Sequence, residues 1–209
     1  MTDWASETEQ RVLDAAMTLA PQMGWTSQLV ERAGRRAGLT LGEVELLLPH
    51  GPRDLAALLS RRHDAAAFAS LADTDPTTLK IRERIRTGVQ ARLDAAFADE
   101  EALRRWAGFL AFPTNLPLAM RLLWETADAI WRWAGDTATD ENHYSKRAIL
   151  SGILISTLGV RLTQGREAQE KELAARIENV MAFEKWKAGI KPGKSLVDIA
   201  AALGRMRYR

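Results

Sequence analysis

The sequence predicts an all-α fold, and three observations carry that expectation. Apolar residues recur at three- and four-residue spacing through most of the chain, Gly and Pro punctuate these stripes, and no segment competes as an alternating strand. At 209 residues the chain lies near the boundary between one domain and two, long enough to bury a substantial core.

Each element follows from local chemistry. Val12, Ala16, Leu19 and Met23 form the first stripe, and Gly24 stops it. Thr26 or Ser27 starts a second helix carrying Val30, Ala33 and Ala37, which ends at Gly38. Thr40 and Glu43 form a capping box for a third helix through Leu46 and Leu47. Pro49 and Gly51 then break the chain, and Pro52 suits the first position of a fourth helix with Leu55, Leu58 and Leu59. Asp75-Pro76 repeats that start signal and opens a long helix through Ile81, Ile85, Val89, Leu93 and Phe97. Leu103, Trp106, Phe109, Leu110 and Phe112 follow, until Pro113 and Pro117 stop and restart the chain. A stripe from Leu118 through Leu122, Leu123, Ile130 and Trp131 ends at Gly135. Ala148 to Val160 is expected as a buried helix, being too short to cross a bilayer, which needs about 20 apolar residues. Leu173, Ile177, Val180 and Met181 mark another helix, Gly189, Pro192 and Gly193 a linker, and Ser195 to Arg209 a last helical pattern.

Composition narrows the chemistry. There is no cysteine, which excludes disulfides, thiolate catalysis and sulfur-held metal, and points to a reducing compartment. MTDWASETEQ lacks a basic region followed by an apolar one, so no secretory signal is expected. A net charge of +2 is too small to imply a partner by itself.

Residues 134 to 148, AGDTATDENHYSKRA, are the exception to the apolar stripes. They gather Asp136, Asp140, Glu141, Asn142, His143, Tyr144, Lys146 and Arg147 between two hydrophobic segments. A di-iron bundle requires Glu-x-x-His pairs, but Glu141 and His143 are only two apart. The acids lack the spacing and central glycine of a calcium loop, and Ser145 has no nucleophile elbow. No catalytic residue, metal or cofactor is therefore predicted. Gly135 can end one helix, and Asp140 with Glu141 can cap the next, but caps leave His143 and Tyr144 unexplained.

Two resemblances bear on this. RVLDAAMTLAPQMGWT, ERAGRRAGLT and LLLPHGPRDL resemble the N-terminal half of TetR-type regulators, whose third helix enters the major groove. Here that helix is LGEVELLL, and Glu43 and Glu45 oppose phosphate, although Arg32, Arg35 and Arg36 precede them. Nucleic acid is not the expected partner, and a TetR-type regulator with an apolar effector stands as the alternative.

The more specific likeness rests on Asp128, Trp131, Ala134-Gly135-Asp136, Thr139-Asp140, Asn142, Tyr144 and Lys146-Arg147-Ala148. It extends to Leu48-Pro49, FLAFPTNLPLAMRLL at 109 to 123, and Arg176 to Met181. In these the chain is similar to the Coq-nine family, lipid-binding accessory proteins of ubiquinone (coenzyme Q) biosynthesis. The resemblance implies a TetR-like fold, a homodimer, an apolar pocket for isoprenoid lipid, and a patch that docks the di-iron demethoxyubiquinone hydroxylase. That patch maps onto Asp128, Ile130, Trp131, Asp140, His143 and Tyr144. The family usually has Trp at the position of His143 and Thr at that of Ser145. Losing an aromatic anchor costs an interface about 2 kcal/mol unless the partner surface has changed with it.

With that pattern, a pocket is expected where Phe97, Trp106, Phe109, Phe112 and Trp124 crowd helices interrupted by Pro113 and Pro117. Phe97, Phe109, Leu110, Phe112, Leu118, Leu122 and Ile153 are the expected lining. In SLVDIAAALGRMRYR, Leu196, Ile199, Leu203 and Met206 share one face with Arg205 and Arg207 beside it, which suits either an anionic membrane surface or a docked helix. The expected organisation is a TetR-like region over 1–72, a lipid-binding and dimerisation bundle over 73–188, and a linker with amphipathic helix over 189–209. The expected protein is non-catalytic, cytoplasmic and peripheral to the inner membrane, and presents an isoprenoid quinone intermediate to the hydroxylase.

Overall fold

A computed structural model describes residues 4–137 and 141–189. Among the described residues the secondary structure is helical without strands, as the periodicity predicted. The helices are α1 (Trp4–Met23), α2 (Ser27–Arg36), α3 (Leu41–Leu47), α4 (Pro52–Ser70), α5 (Ile81–Ala96), α6 (Glu100–Leu110), α7 (Leu116–Trp133), α8 (Glu141–Gln164) and α9 (Arg166–Gly189).

The N-terminal boundaries form as the caps dictate. Thr26 accepts the Leu29 N–H at the head of α2. Thr40 and Glu43 close a reciprocal box on α3, with the Thr40 N–H reaching the Glu43 carboxylate at 2.8 Å and the Glu43 N–H reaching Thr40 Oγ1 at 3.3 Å. Two elements differ from expectation. Asp75-Pro76 opens only a 3₁₀ turn, Pro76–Thr78, and α5 begins at Ile81. Thr77 and Thr78 direct their hydroxyls back to Asp75 at 2.7 and 2.8 Å, which holds a local turn in competition with a continuing helix. The segment Ala148 to Val160 is helical but not buried all round, because Ala148, Gly152, Ile155 and Gly159 face outward on one side of α8.

Two apolar clusters divide the molecule. The first joins Val12, Leu13, Leu29, Leu55 and Leu59 of α1, α2 and α4 to Leu103 and Trp106 of α6. It therefore draws on residues well beyond position 72. Indole hydrogen bonds fasten it to α4: Trp25 Nε1 donates to the Pro52 carbonyl and Trp106 Nε1 to the Ala56 carbonyl, both at 3.0 Å. The second cluster packs Val89 of α5, Ile130 of α7, Leu150 and Leu154 of α8, and Leu173 and Ile177 of α9. A single left-handed residue, Gly165 with φ +86°, folds α9 back on α8.

The α2–α3 contact is close enough to require a glycine. A methyl group on Gly34 would lie 2.1 Å from Val44 Cγ2. Gly34→Ala is expected to destabilise the protein by about 1–3 kcal/mol, the overpacking outweighing a helix-propensity gain of about 1 kcal/mol. Gly42, whose added Cβ would meet nothing within 4 Å, is the control. Thermal melts should show Tm falling for Gly34→Ala and not for Gly42→Ala.

Candidate functional site

The polar stretch acts first as a clamp. Helix α7 ends in a Schellman motif, in which the Gly135 N–H donates to the Arg132 carbonyl at 3.0 Å and the Asp136 N–H to the Trp131 carbonyl at 2.9 Å. Gly135 has φ +88°, and the reversal turns Asp136 inward to a side-chain exposure of 6%. There its carboxylate meets Lys146 Nζ at 2.6 Å and Arg147 Nη1 at 2.9 Å. Arg147, 2% exposed, also donates through Nε to Asp128 at 2.6 Å, and Asp128 in turn holds Arg132 at 2.7 Å. Burial would raise the Asp136 carboxyl, but hydrogen bonds from Lys146 and Arg147 outweigh it and hold the pKa below the ordinary carboxylate value.

Neighbouring contacts complete the joint between α7 and α8. Trp131 Nε1 donates to the Lys146 carbonyl at 3.1 Å, and Lys146 Nζ lies 5.3 Å from the Trp131 ring centre. Arg84 of α5 donates to the Ala134 carbonyl at 2.7 Å, placing a cation at the C-terminal end of α7.

Outside the clamp, Trp124, His143 and Tyr144 form an aromatic cluster. Their ring centres are 6.5 Å apart for Trp124–His143, 6.1 Å for Trp124–Tyr144 and 5.2 Å for His143–Tyr144, separations typical of aromatic pairs. Tyr144 is 65% exposed. Phe112, Leu116 and Met120, also exposed, precede Trp124 at four-residue spacing and extend the apolar surface along α7.

The structure distributes the expected patch residues among different roles. His143 and Tyr144 come together with Trp124, whereas Trp131 and Asp128 are half-buried and engaged within the clamp. Ile130 is a core residue, 1% exposed, and a Cβ on Gly88 would lie 2.8 Å from it. Its position opposite α5 follows from the apolar face of α7, so a contact role for it gives way to packing. Asp140 lies outside the described residues, as do Leu196, Ile199, Leu203, Arg205, Met206 and Arg207.

Two cavities open beside this joint. One, of about 370 Å³, lies between α5, α7, α8 and α9, with Ile85, Trp131, Ile149, Ile153 and Ile177 in its walls and Arg82 and Lys146 among its polar lining. The other, of about 290 Å³, lies between α4, α5, α6, α7 and α8. Its walls are Leu93, Leu103, Trp106, Leu110, Leu122 and Leu158, and the exposed Leu116 and Ile155 stand at its mouth.

Of the expected lining, Leu110 and Leu122 face the 290 Å³ cavity and Ile153 the 370 Å³ one. Phe97, Phe109, Phe112 and Leu118 line neither. Phe97 lies in a 3₁₀ turn with the Arg161 guanidinium 4.3 Å from its ring centre, and Phe109 and Leu118 pack against the first core. Phe112 follows the end of α6 and is 65% exposed.

A family model described as COQ9 matches residues 116–184, the span from the start of α7 into α9 that holds the clamp and the aromatic cluster. The ubiquinone biosynthesis protein COQ9-B, mitochondrial, of Xenopus laevis is 29% identical over 197 residues, covering 87% of this chain and 66% of that protein. Its counterpart from Xenopus tropicalis is 28% identical, over 85% of this chain and 59% of that protein, and the human COQ9 is 27% identical, over 74% and 51%. Over these spans the chain is similar to the COQ9 family. It spans between half and two thirds of the length of these relatives.

Several residues central to this site carry no local signal for the role they play. Arg147 stood out in the polar stretch but not as a buried residue, because its burial depends on Asp136 arriving from the end of α7. Ser60 and Asp64 of α4 did not stand apart either, because α4 also carries Arg53, Asp54, Arg61 and Arg62. The partners of Ser60 and Asp64, Arg92 and Thr126, come from α5 and α7. No helix among the described residues is long and apolar enough to cross a membrane.

Proposed function

We propose that this protein serves ubiquinone biosynthesis by binding an isoprenoid quinone intermediate and presenting it to the di-iron demethoxyubiquinone hydroxylase, with no bond chemistry of its own. The observation that carries this reading is the 290 Å³ cavity with leucine-rich walls and an exposed apolar mouth. A buried prenyl chain gains about 0.8 kcal/mol per CH₂, so a sheltered apolar channel offsets withdrawal from lipid.

The names of the relatives support the pathway, since they are ubiquinone biosynthesis proteins described as mitochondrial. The Trp124–His143–Tyr144 cluster suits the hydroxylase, because exposed aromatic anchors dominate interface energetics. His143, where the family usually has Trp, calls for a matching change on that partner. The outward-facing Ala148, Gly152 and Gly159 suit the homodimer, since small side chains let a second copy approach closely. A membrane surface, read in sequence from Leu196 to Arg207, completes the set of partners. The exposed face of α3 carries Leu41, Glu43, Glu45 and Leu46 without a cation, and this weighs against nucleic acid.

The test is extraction of the purified protein with organic solvent, followed by mass spectrometry. The wild type should yield a polyprenyl lipid or quinone. Ala119→Trp, which places an indole in the cavity that Ala119 lines, should retain less than about a tenth of it while keeping its helical circular dichroism. An extract holding detergent alone, or an undiminished lipid content in Ala119→Trp, would overturn the proposal.

A further inference from the structure

The 290 Å³ cavity is apolar on all sides but one. Ser60 of α4, Arg92 of α5 and Thr126 of α7 converge on that wall, being 2%, 8% and 3% exposed. Behind them Asp64 accepts from Arg92 Nε and, at 2.9 Å, from Thr126 Oγ1. Arg92 Nη2 donates to Ser60 Oγ at 3.3 Å.

Counting donors and charges shows what this wall requires. A guanidinium has five N–H groups, and the bonds to Asp64 and Ser60 draw on only its Nε and Nη2 atoms. Ser60 Oγ accepts from Arg92, which leaves its own hydroxyl hydrogen for another acceptor. Thr126 spends its hydroxyl hydrogen on Asp64. The wall is therefore rich in donors, and its only charge is already matched by Asp64. His63, packed edge-on to Trp106 at 6.1 Å, adds none near neutral pH, because burial first, then Arg92 and Arg62, lower its pKa to about 3.

We infer that Ser60, Arg92 and Thr126 form a head-group subsite for a neutral ring bearing carbonyl or ether oxygens, the quinone or alkoxyphenol class, bound head inward. The inference rests on the proposal that this cavity holds a lipid. A neutral oxygen satisfies the spare donors without upsetting the Arg92–Asp64 balance. A carboxylate or phosphate would add a second buried anion against one cation already paired, which is strongly unfavourable. Arg92 is buried while Leu116 and Ile155 at the mouth are 48% and 56% exposed, so the ring lies innermost and the tail runs outward between α7 and α8. A volume of about 290 Å³ is at the small end for ligand pockets, typically about 300–1,000 Å³, and accommodates a substituted ring with the first part of a tail.

Quenching of tryptophan fluorescence, with Trp106 in the cavity wall, and competition between probes give the test. The probes are a dimethoxybenzoquinone with a decyl tail, decylbenzene as the headless analogue, and dodecanoate as the anionic one. The wild type should prefer the quinone to both others by about tenfold or more. Ser60→Ala should weaken the quinone about five- to tenfold, the loss of one hydrogen bond, and leave decylbenzene unchanged. Asp64→Asn, which leaves Arg92 without its counter-charge, should shift selectivity toward dodecanoate by tenfold or more.

Equal binding of quinone and decylbenzene, unmoved by Ser60→Ala, would overturn the subsite and leave the lipid cavity standing. Wild-type preference for dodecanoate, or unchanged selectivity in folded Asp64→Asn, would overturn its neutral character. Failure of the wild type to bind any probe would overturn the cavity proposal itself.

Discussion

Arg147→Ala is expected to destabilise the protein by about 3–5 kcal/mol, which lowers Tm by roughly 10 °C or more for a chain of this size. The substitution strips Asp136 of one of its two cationic partners while its side chain stays 6% exposed, and leaves a void where a 2% exposed side chain had been. The pair double variant separates charge from fold. Arg147→Met with Asp136→Asn removes both members, leaving Asp128 with Arg132 and Lys146, at 36% exposure, free to reach water. Its stability should lie well above that of Arg147→Ala, since replacing a buried pair costs far less than orphaning one member. Urea unfolding of the three proteins checks the order. The wild-type clamp also has an acid limit: the folded pKa of Asp136 is depressed, so its contribution is present above the unfolded carboxylate pKa and is lost as pH falls through the folded value.

The second large effect concerns His63. It is 3% exposed, and neither ring nitrogen has a hydrogen-bond partner among the described residues. Burial is the main reason its pKa falls from 6.5 to about 3, with Arg92 and Arg62 adding to the shift. A base with a depressed folded pKa contributes its full stability above the unfolded value of 6.5 and loses it as pH falls toward the folded value. At pH 4.5 the loss is of order 2–3 kcal/mol. His63→Leu should therefore melt at or above the wild-type temperature at pH 7, and should fall less steeply than the wild type between pH 7 and 4.5. Carboxylates titrate in the same window in both proteins, so the difference between the two melting curves isolates the imidazole. Parallel curves would show that His63 is not held neutral by the fold.

How much could be read from sequence depends on the range of the interaction. Thr26, the Thr40–Glu43 box, Pro52 and Gly135 act within three or four residues of themselves, and the helix boundaries they mark appear in the fold. Asp75-Pro76 carried the same type of signal but lost to the hydroxyls of Thr77 and Thr78, a competition between two local patterns. The cavity lay further from reach. Leu110 and Leu122 face it because α6 and α7 converge there, whereas the aromatic rings of Phe97, Phe109 and Phe112, which drew attention by size, turn elsewhere. Arg92 and Asp64 are separated by 28 residues, and no periodicity announces that they meet. The second shape the sequence hid is the Ile130–Gly88 contact, where the smallest residue of α5 admits the β-branched side chain of α7.

The one-residue reversal at Gly165 has a consequence for direction. Residues that face the same cavity from α8 and α9, such as Ile153 and Ile177 or Ile149 and Met181, are equidistant from that glycine along the chain. Two helices of 24 residues each, packed against one another, therefore run the backbone out and back over equal lengths. The far end of α9 is thus brought back toward the pole of the molecule where α8 begins, the end that carries His143 and Tyr144.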